Sequence, residues 1–140
     1  MSTRSDHLTQ TKVIRDLFSD FLDDLTPHPI TKDLGRIKNE QSIKQALKNI
    51  ILTNLGERPF QPNIGSDVYA SLFEPNDIIM EENLRFAIQN AIRFHEPRVN
   101  LIEVRVTSFS EEDRVAINLI FSIINSIEVQ SVNLFLRRVR

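Results

Sequence analysis

The sequence predicts an α+β fold, with three helical segments packed on a three-stranded antiparallel β-meander at the C-terminus. Three observations carry this. Apolar residues recur at helical spacing through the middle of the chain. Beyond Arg98 the period falls to two, and the alternating segments that follow are joined by short turns. Helices followed by a meander of this kind cover one face of the sheet.

Residues 1–16 are polar and carry no sustained period, so they are expected to form a mobile arm or short helix ahead of one domain over 17–140. Between Asp16 and Lys38, Pro27 and Pro29 forbid a helix and favour looped or edge-strand chain, with His28 between them a turn residue rather than a ligand. Asn39 is a candidate N-cap. After it, Ile43, Ala46, Leu47, Ile50 and Ile51 fall on one helical face and predict a helix over 40–54, with Gly56 beyond its last turn. Residues 56–66 hold two of the three glycines and two of the six prolines, the composition of an ordered loop. Ser66 is expected to cap a short helix with Val68, Tyr69, Leu72 and Phe73 inward, closed by Pro75. Asn76 would cap a third helix, in which Leu84, Ala87, Ile88, Ala91 and Ile92 face inward and which Pro97 stops near His95. Phe60, Phe73 and Phe86 are expected in the core.

The first strand follows: Ile102, Val104 and Val106 alternate with Glu103, Arg105 and Thr107. Val115–Ile124 and Val129–Leu136 are the other two. Residues 110–113 and the pair Asn125-Ser126 provide the turns. A three-stranded meander leaves two edges. The last strand has no proline and no charge before Arg137, so the edge through Val129, Ser131, Asn133 and Phe135 is open to pairing with another strand.

Composition removes whole classes of function. The chain has 140 residues, enough for one core, and its 41% hydrophobic and 26% charged content is that of an ordinary folded domain. It contains no Cys, and His7, His28 and His95 are scattered, so neither a thiolate nor a His-based metal site is expected. Gly56 and Gly65 are not followed by the Lys of a phosphate loop, and no cofactor is expected. Seventeen basic against nineteen acidic residues leave a net charge of -2, too balanced for an autonomous nucleic-acid binder. No uncharged stretch reaches the roughly 18 residues of a membrane span, so neither nucleic acid nor membrane is an expected partner. Twelve of the seventeen basic residues are Arg, a bias that favours bidentate contacts at interfaces.

Three segments then become specific. The first is Leu52-Thr53-Asn54-Leu55-Gly56-Glu57-Arg58-Pro59-Phe60-Gln61-Pro62-Asn63-Ile64-Gly65-Ser66, the second Leu72-Phe73-Glu74-Pro75, and the third Glu96-Pro97-Arg98 at a helix-to-strand junction. In this order and spacing the set resembles the contractile-tail baseplate wedge and sheath-initiator family, found in T-even-type phages and in type VI secretion baseplates. The resemblance covers about residues 17–125; Ile64 and His95 stand where aromatics are common in the family.

The resemblance implies a non-enzymatic structural protein of the tail baseplate of a virion, assembled in the host cytoplasm. Its partners would be baseplate wedge proteins, the tail sheath protein, and tube or hub proteins. Glu96, Pro97 and Arg98, with Arg58, would dock to the central wedge proteins. The loop of Gly56, Glu57, Pro59, Phe60, Pro62, Gly65 and Ser66 would hold the helices around it, and sheath would grow by strand addition to the sheet.

From the residues alone, Glu96-Pro97-Arg98 reads equally as a helix terminator with a local ion pair. If that pair lies on the surface, Arg98→Ala changes stability by about 1 kcal/mol or less. Arg58 could fork to Glu74 or Glu96. Arg137, Arg138 and Arg140 read as a soluble tail or as a contact for an acidic partner. The enzymatic alternative is a lysozyme-like glycosidase acting on peptidoglycan. It needs one carboxylic acid and one carboxylate across a sugar cleft, whereas Glu57 and Glu96 each have an Arg nearby, Trp is absent and Tyr appears once.

Overall fold

The structure, a computed structural model, describes residues 17–73, 78–109, 113–124 and 126–138. The expected arm, the Glu74-Pro75-Asn76 stop and cap, most of the turn at 110–113, Asn125 and Arg140 lie outside the described residues. Two short strands come first, β1 (Ser19–Phe21) and β2 (Arg36–Lys38), followed by helices α1 (Glu40–Leu52), α2 (Val68–Leu72) and α3 (Ile78–His95). Three long strands close the chain: β3 (Val99–Phe109), β4 (Arg114–Ile123) and β5 (Val129–Arg137). The last three form an antiparallel sheet in the order β3-β4-β5, as the alternating segments predict.

The helical stripes meet the inner face of that sheet. Ile43, Leu47 and Ile51 of α1 and Met80, Leu84, Ile88 and Ile92 of α3 are buried. They share one cluster with Val115, Ile117, Leu119, Phe121 and Ile123, alternate residues of the central strand. On the opposite face of β4, Ala116, Asn118, Ile120 and Ser122 are only half-buried.

β1 and β2 form an antiparallel ribbon where the two prolines exclude a helix. It is sewn to α1 by Gln45, whose Nε2 donates to the Phe21 carbonyl at 2.7 Å, and by Asn49, whose Nδ2 donates to Asp23 Oδ1 at 2.9 Å. His28 sits in the turn beyond, its Nδ1 accepting the backbone N–H groups of Ile30 and Thr31.

Several local expectations change. Helix α1 ends at Leu52, two residues early, because Thr53 turns to extended backbone while its hydroxyl donates to the Asn49 carbonyl. Asn39 stands at the α1 N-cap but its side chain does not cap: Oδ1 accepts the N–H groups of Leu17 and Phe18 and pins the incoming chain. Asp67, not Ser66, holds the N-cap position of α2. Ser66 is buried and its hydroxyl donates to the Ile51 carbonyl at 2.7 Å, so it ties the loop to the end of α1.

The aromatic trio is not core. Phe60, Phe73 and Phe86 are 101%, 74% and 66% exposed. Phe86 lies two residues, some 200° around the helix, from Leu84, so burying the Leu84–Ile88–Ile92 stripe turns the ring outward. Phe73 falls just past the last turn of α2 and Phe60 on a loop. Ile102 is also outside, 54% exposed, because a β-bulge between Leu101 and Glu103 changes the phase of β3. Val99 and Leu101 face the core before the bulge, and Val104 and Val106 after it.

Candidate functional site

The Glu96-Pro97-Arg98 corner joins the end of α3 to β3. Pro97 cannot continue the helix, and the corner is fixed on both sides by backbone bonds: Glu96 N–H to the Ile92 carbonyl at 2.9 Å, and Ile124 N–H to the Arg98 carbonyl at 2.9 Å. The Glu96 side chain turns inward to 4% exposure. There the Arg98 guanidinium grips it in a fork, Nε to Oε1 and Nη2 to Oε2, both at 2.6 Å. The central carbon of the guanidinium lies over the Phe18 ring, 5.3 Å from its centroid. The hydrogen bonds to Glu96 push the Arg98 pKa up; burial opposes this, and the charges of Glu96 and then Asp20 assist. This is therefore not a surface pair. The condition attached to a small stability effect of Arg98→Ala is therefore not met, and truncation would strip a buried carboxylate of its partner.

Arg58 makes no hydrogen bond to this carboxylate, which Arg98 alone grips among the described side chains. It is exposed and borders a polar hollow of about 350 Å³ with Asp20, Asn49, Phe94 and His95. Glu74 lies outside the described residues. A second, mostly apolar hollow of about 550 Å³ adjoins the first through Phe94 and His95 and continues along α3 past Phe86 to Leu55. The loop thus borders the C-terminal end of α3, beside the corner.

The loop itself is closed on its own backbone. Gly56 N–H donates to the Pro62 carbonyl at 2.8 Å, Ser66 N–H to the Thr53 carbonyl at 2.8 Å, and Glu57 Oε2 accepts the Asn54 N–H at 2.8 Å. Gly56 and Gly65 both have positive φ, 81° and 138°, as an ordered loop with two glycines predicts. A Cβ on Gly65 would stand 2.6 Å from the Thr53 carbonyl oxygen, so only glycine fits that crossing.

The register settles which donors of β5 face outward. Arg138 N–H donates to the Asp113 carbonyl at 2.7 Å, one step past the Arg114–Arg137 pair, and the β4–β5 register has no shift. Hydrogen-bonded pairs alternate from there: Val115–Leu136, Ile117–Leu134, Leu119–Val132 and Phe121–Gln130. The N–H groups of Val129, Ser131, Asn133 and Phe135 therefore point away from β4, and among the described residues nothing accepts them. The opposite edge is different. The bulge breaks the row of outward groups on β3, and Glu81 of α3 accepts both the backbone N–H and the hydroxyl of Ser108, at 3.1 and 2.7 Å.

Three structural features around the candidate site escape the sequence reading: the buried seat of Glu96, the Phe18 ring under Arg98, and Arg138, whose Nε donates to the Leu72 carbonyl at 2.8 Å and ties the end of β5 to α2. Arg138 is thus no free tail. Only the charge pattern Glu96-Pro97-Arg98 hinted at the first of these; no periodicity marks the other two.

The family described as baseplate wedge protein gp25 matches residues 38–131. Baseplate wedge protein gp25 of Enterobacteria phage T4 is 33% identical over 95 residues, covering 68% of this chain and 72% of that protein. A crystal structure from Geobacter sulfurreducens that carries the label tail lysozyme shares the fold, with a TM-score of 0.67 at 19% identity over 72% of this chain and 92% of that one. So does a chain of the baseplate of the anti-feeding prophage, with a TM-score of 0.62 at 18% identity over 84% of this chain and 83% of that one. By its sequence over most of its length, this chain belongs to the baseplate wedge protein gp25 family and is a structural baseplate component of a contractile, phage-tail-like system.

Proposed function

We propose that the chain starts the contractile sheath by accepting a strand along β5 and is held in the baseplate by the Glu96-Pro97-Arg98 corner with Arg58. The observation that carries the first part is the row of outward N–H groups at Val129, Ser131, Asn133 and Phe135 on an edge without bulge or proline. A partner strand would satisfy these groups by main-chain bonds, while the bulge and Glu81 obstruct the β3 edge. The sheath subunit is the strand donor in this reading. The wedge contact would use exposed Pro97, the remaining Nη1 of Arg98, and Arg58; Glu96 acts from below, by holding Arg98 in place. Contacts with tube or hub proteins belong to the same proposal.

Proline at two adjacent positions tests the edge. Leu134→Pro removes an N–H that pairs with Ile117 and should unfold the sheet. Asn133→Pro removes an outward N–H and the side-chain oxygen that accepts from Asn118 Nδ2 on β4, but no bond of the ladder; the chain should fold and enter baseplates, yet leave tubes without sheath in electron micrographs, and Asn133→Ala, which loses the side chain alone, should form sheath normally. Normal sheath on Asn133→Pro baseplates would sink the strand-addition reading. For the corner, Arg58→Glu should leave the fold intact and lower incorporation into baseplates.

We propose no catalytic role. Glu57 and Glu96 are engaged as acceptors by the Asn54 N–H and by Arg98, so neither stands free to carry a proton to a glycosidic oxygen. The fold shared with the protein labelled tail lysozyme is a fold likeness and does not favour the peptidoglycan-cleaving alternative.

A further inference from the structure

Phe60 combines two costs that folding has not removed. Its side chain is fully in solvent, at 101% of reference exposure. Its φ is +67°, in the left-handed region that a bulky side chain rarely occupies. Leu25 also has positive φ but is less exposed, at 64%. A single exposed apolar residue needs no explanation by itself. Strained backbone that presents a ring to water, on a loop otherwise closed by hydrogen bonds, does need one.

The loop is built to keep the ring there. Pro59 precedes Phe60 and Pro62 follows two residues on, fixing φ on both sides. Gln61 N–H donates to the Arg58 carbonyl at 3.3 Å, and Gly56 N–H to the Pro62 carbonyl at 2.8 Å, which closes the base of the protrusion. The backbone that carries the ring therefore does not need to be ordered when a partner arrives, and a pre-organised backbone lowers the cost of seating an aromatic anchor.

We infer that Phe60 is an anchor residue that inserts into an apolar, ring-sized pocket on a different baseplate subunit, a pocket with a carboxylate at its rim to meet exposed Arg58. The ring has no polar atom, so its seat is apolar; Arg58, two residues away and without an ion pair among the described residues, supplies the charge that selects an acidic rim. This inference rests on the docking role proposed for Arg58 and adds the residue and the chemistry of the contact.

Phe60→Gly separates docking from folding, because glycine relieves the positive φ while removing the ring. The purified variant should melt at or above the temperature of the unchanged chain, and its incorporation into assembled baseplates should fall at least about tenfold. Phe60→Leu should retain part of the incorporation. With p-benzoylphenylalanine at position 60, irradiation of assembled particles should cross-link to a baseplate subunit other than this chain, at a site lined by apolar residues beside Asp or Glu. Full incorporation of Phe60→Gly, a large drop in its melting temperature, or cross-links only to a second copy of the chain would each overturn the inference. Arg58→Glu and Asn133→Pro are run in parallel. If they disrupt assembly while Phe60→Gly does not, the anchor falls and the proposed docking and sheath roles stand.

Discussion

Arg98 holds Glu96 through two parallel hydrogen bonds of 2.6 Å, and the Glu96 side chain so held is 4% exposed while that of Arg98 remains 36% exposed. The pair thus faces two ways: the acid belongs to the interior, the base to the surface. Arg98→Ala leaves an unpaired anion beneath the corner and should cost about 2–3 kcal/mol, less than in a fully enclosed site because truncation admits water. In a chain of this size that is a fall in melting temperature of roughly 6–12 °C. Adding Glu96→Gln to Arg98→Ala should recover part of the loss, since the buried charge goes with it. Thermal unfolding of the single and double variants checks the order; equal loss in both would mean that the charge is not what suffers.

The two loop glycines should respond unequally to alanine. Both need positive φ, but a Cβ on Gly56 meets nothing within 4 Å, whereas on Gly65 it lands 2.6 Å from the Thr53 oxygen and 2.9 Å from the Asn54 carbonyl. Gly56→Ala should cost about 1 kcal/mol for conformation alone. Gly65→Ala should cost about 2–3 kcal/mol, because the Asn54–Ser66 crossing must open. Urea unfolding of both proteins measures the difference, and equal values would show that steric contact adds nothing.

Spacing was enough to read both long helices. Ile43, Leu47 and Ile51, and Leu84, Ile88, Ala91 and Ile92, are buried as their period requires, and the same rule already excluded Phe86, two residues out of step with Leu84. Hydrophobicity alone places Phe86 in the core, but position is what the helix obeys. The bulge in β3 left a trace too: inward Val99 and Leu101 are odd-numbered, inward Val104 and Val106 even-numbered. Alternation shows a face but not a slipped residue. The charge pattern Glu96-Pro97-Arg98 is the one local sign of the ion pair; that Phe18, 80 positions before Arg98, lies against its guanidinium is a long-range contact that no local pattern marks. The open edge of β5 was legible as a lack of prolines and charges; which of its donors face outward required the register.

Asp24 gives the ribbon a pH signature. Its Oδ1 accepts the Thr26 N–H at 3.2 Å and the Thr26 hydroxyl at 2.9 Å, and these bonds, the backbone one foremost, hold the carboxyl below its ordinary value of about 3.9. A pKa lower in the folded than in the unfolded chain contributes stability above the unfolded value, and that contribution is lost as pH falls through the folded one. NMR titration should find Asp24 below the ordinary Asp range, and Thr26→Val should raise it by removing the hydroxyl donor. An Asp24 that titrates normally in both proteins would show that the turn does not bind the carboxylate.

Phe121 and Phe86 should mark the opposite extremes of aromatic truncation. Phe121 lies on the central strand, opposite Leu101 on β3 and Gln130 on β5, with its ring in the cluster formed with the helices and no measurable exposure. Removing it leaves a cavity that neighbours on a hydrogen-bonded sheet cannot collapse to fill, so Phe121→Ala should cost about 3–5 kcal/mol. Phe86, on the outer face of α3, is 66% exposed; alanine there removes surface already largely in water and improves helix propensity, so Phe86→Ala should stay within about 0.5 kcal/mol of the unchanged chain. Denaturant unfolding of the two proteins decides. If Phe86→Ala proves as damaging as Phe121→Ala, the ring lies in the core after all, and the outward face assigned to α3 is wrong.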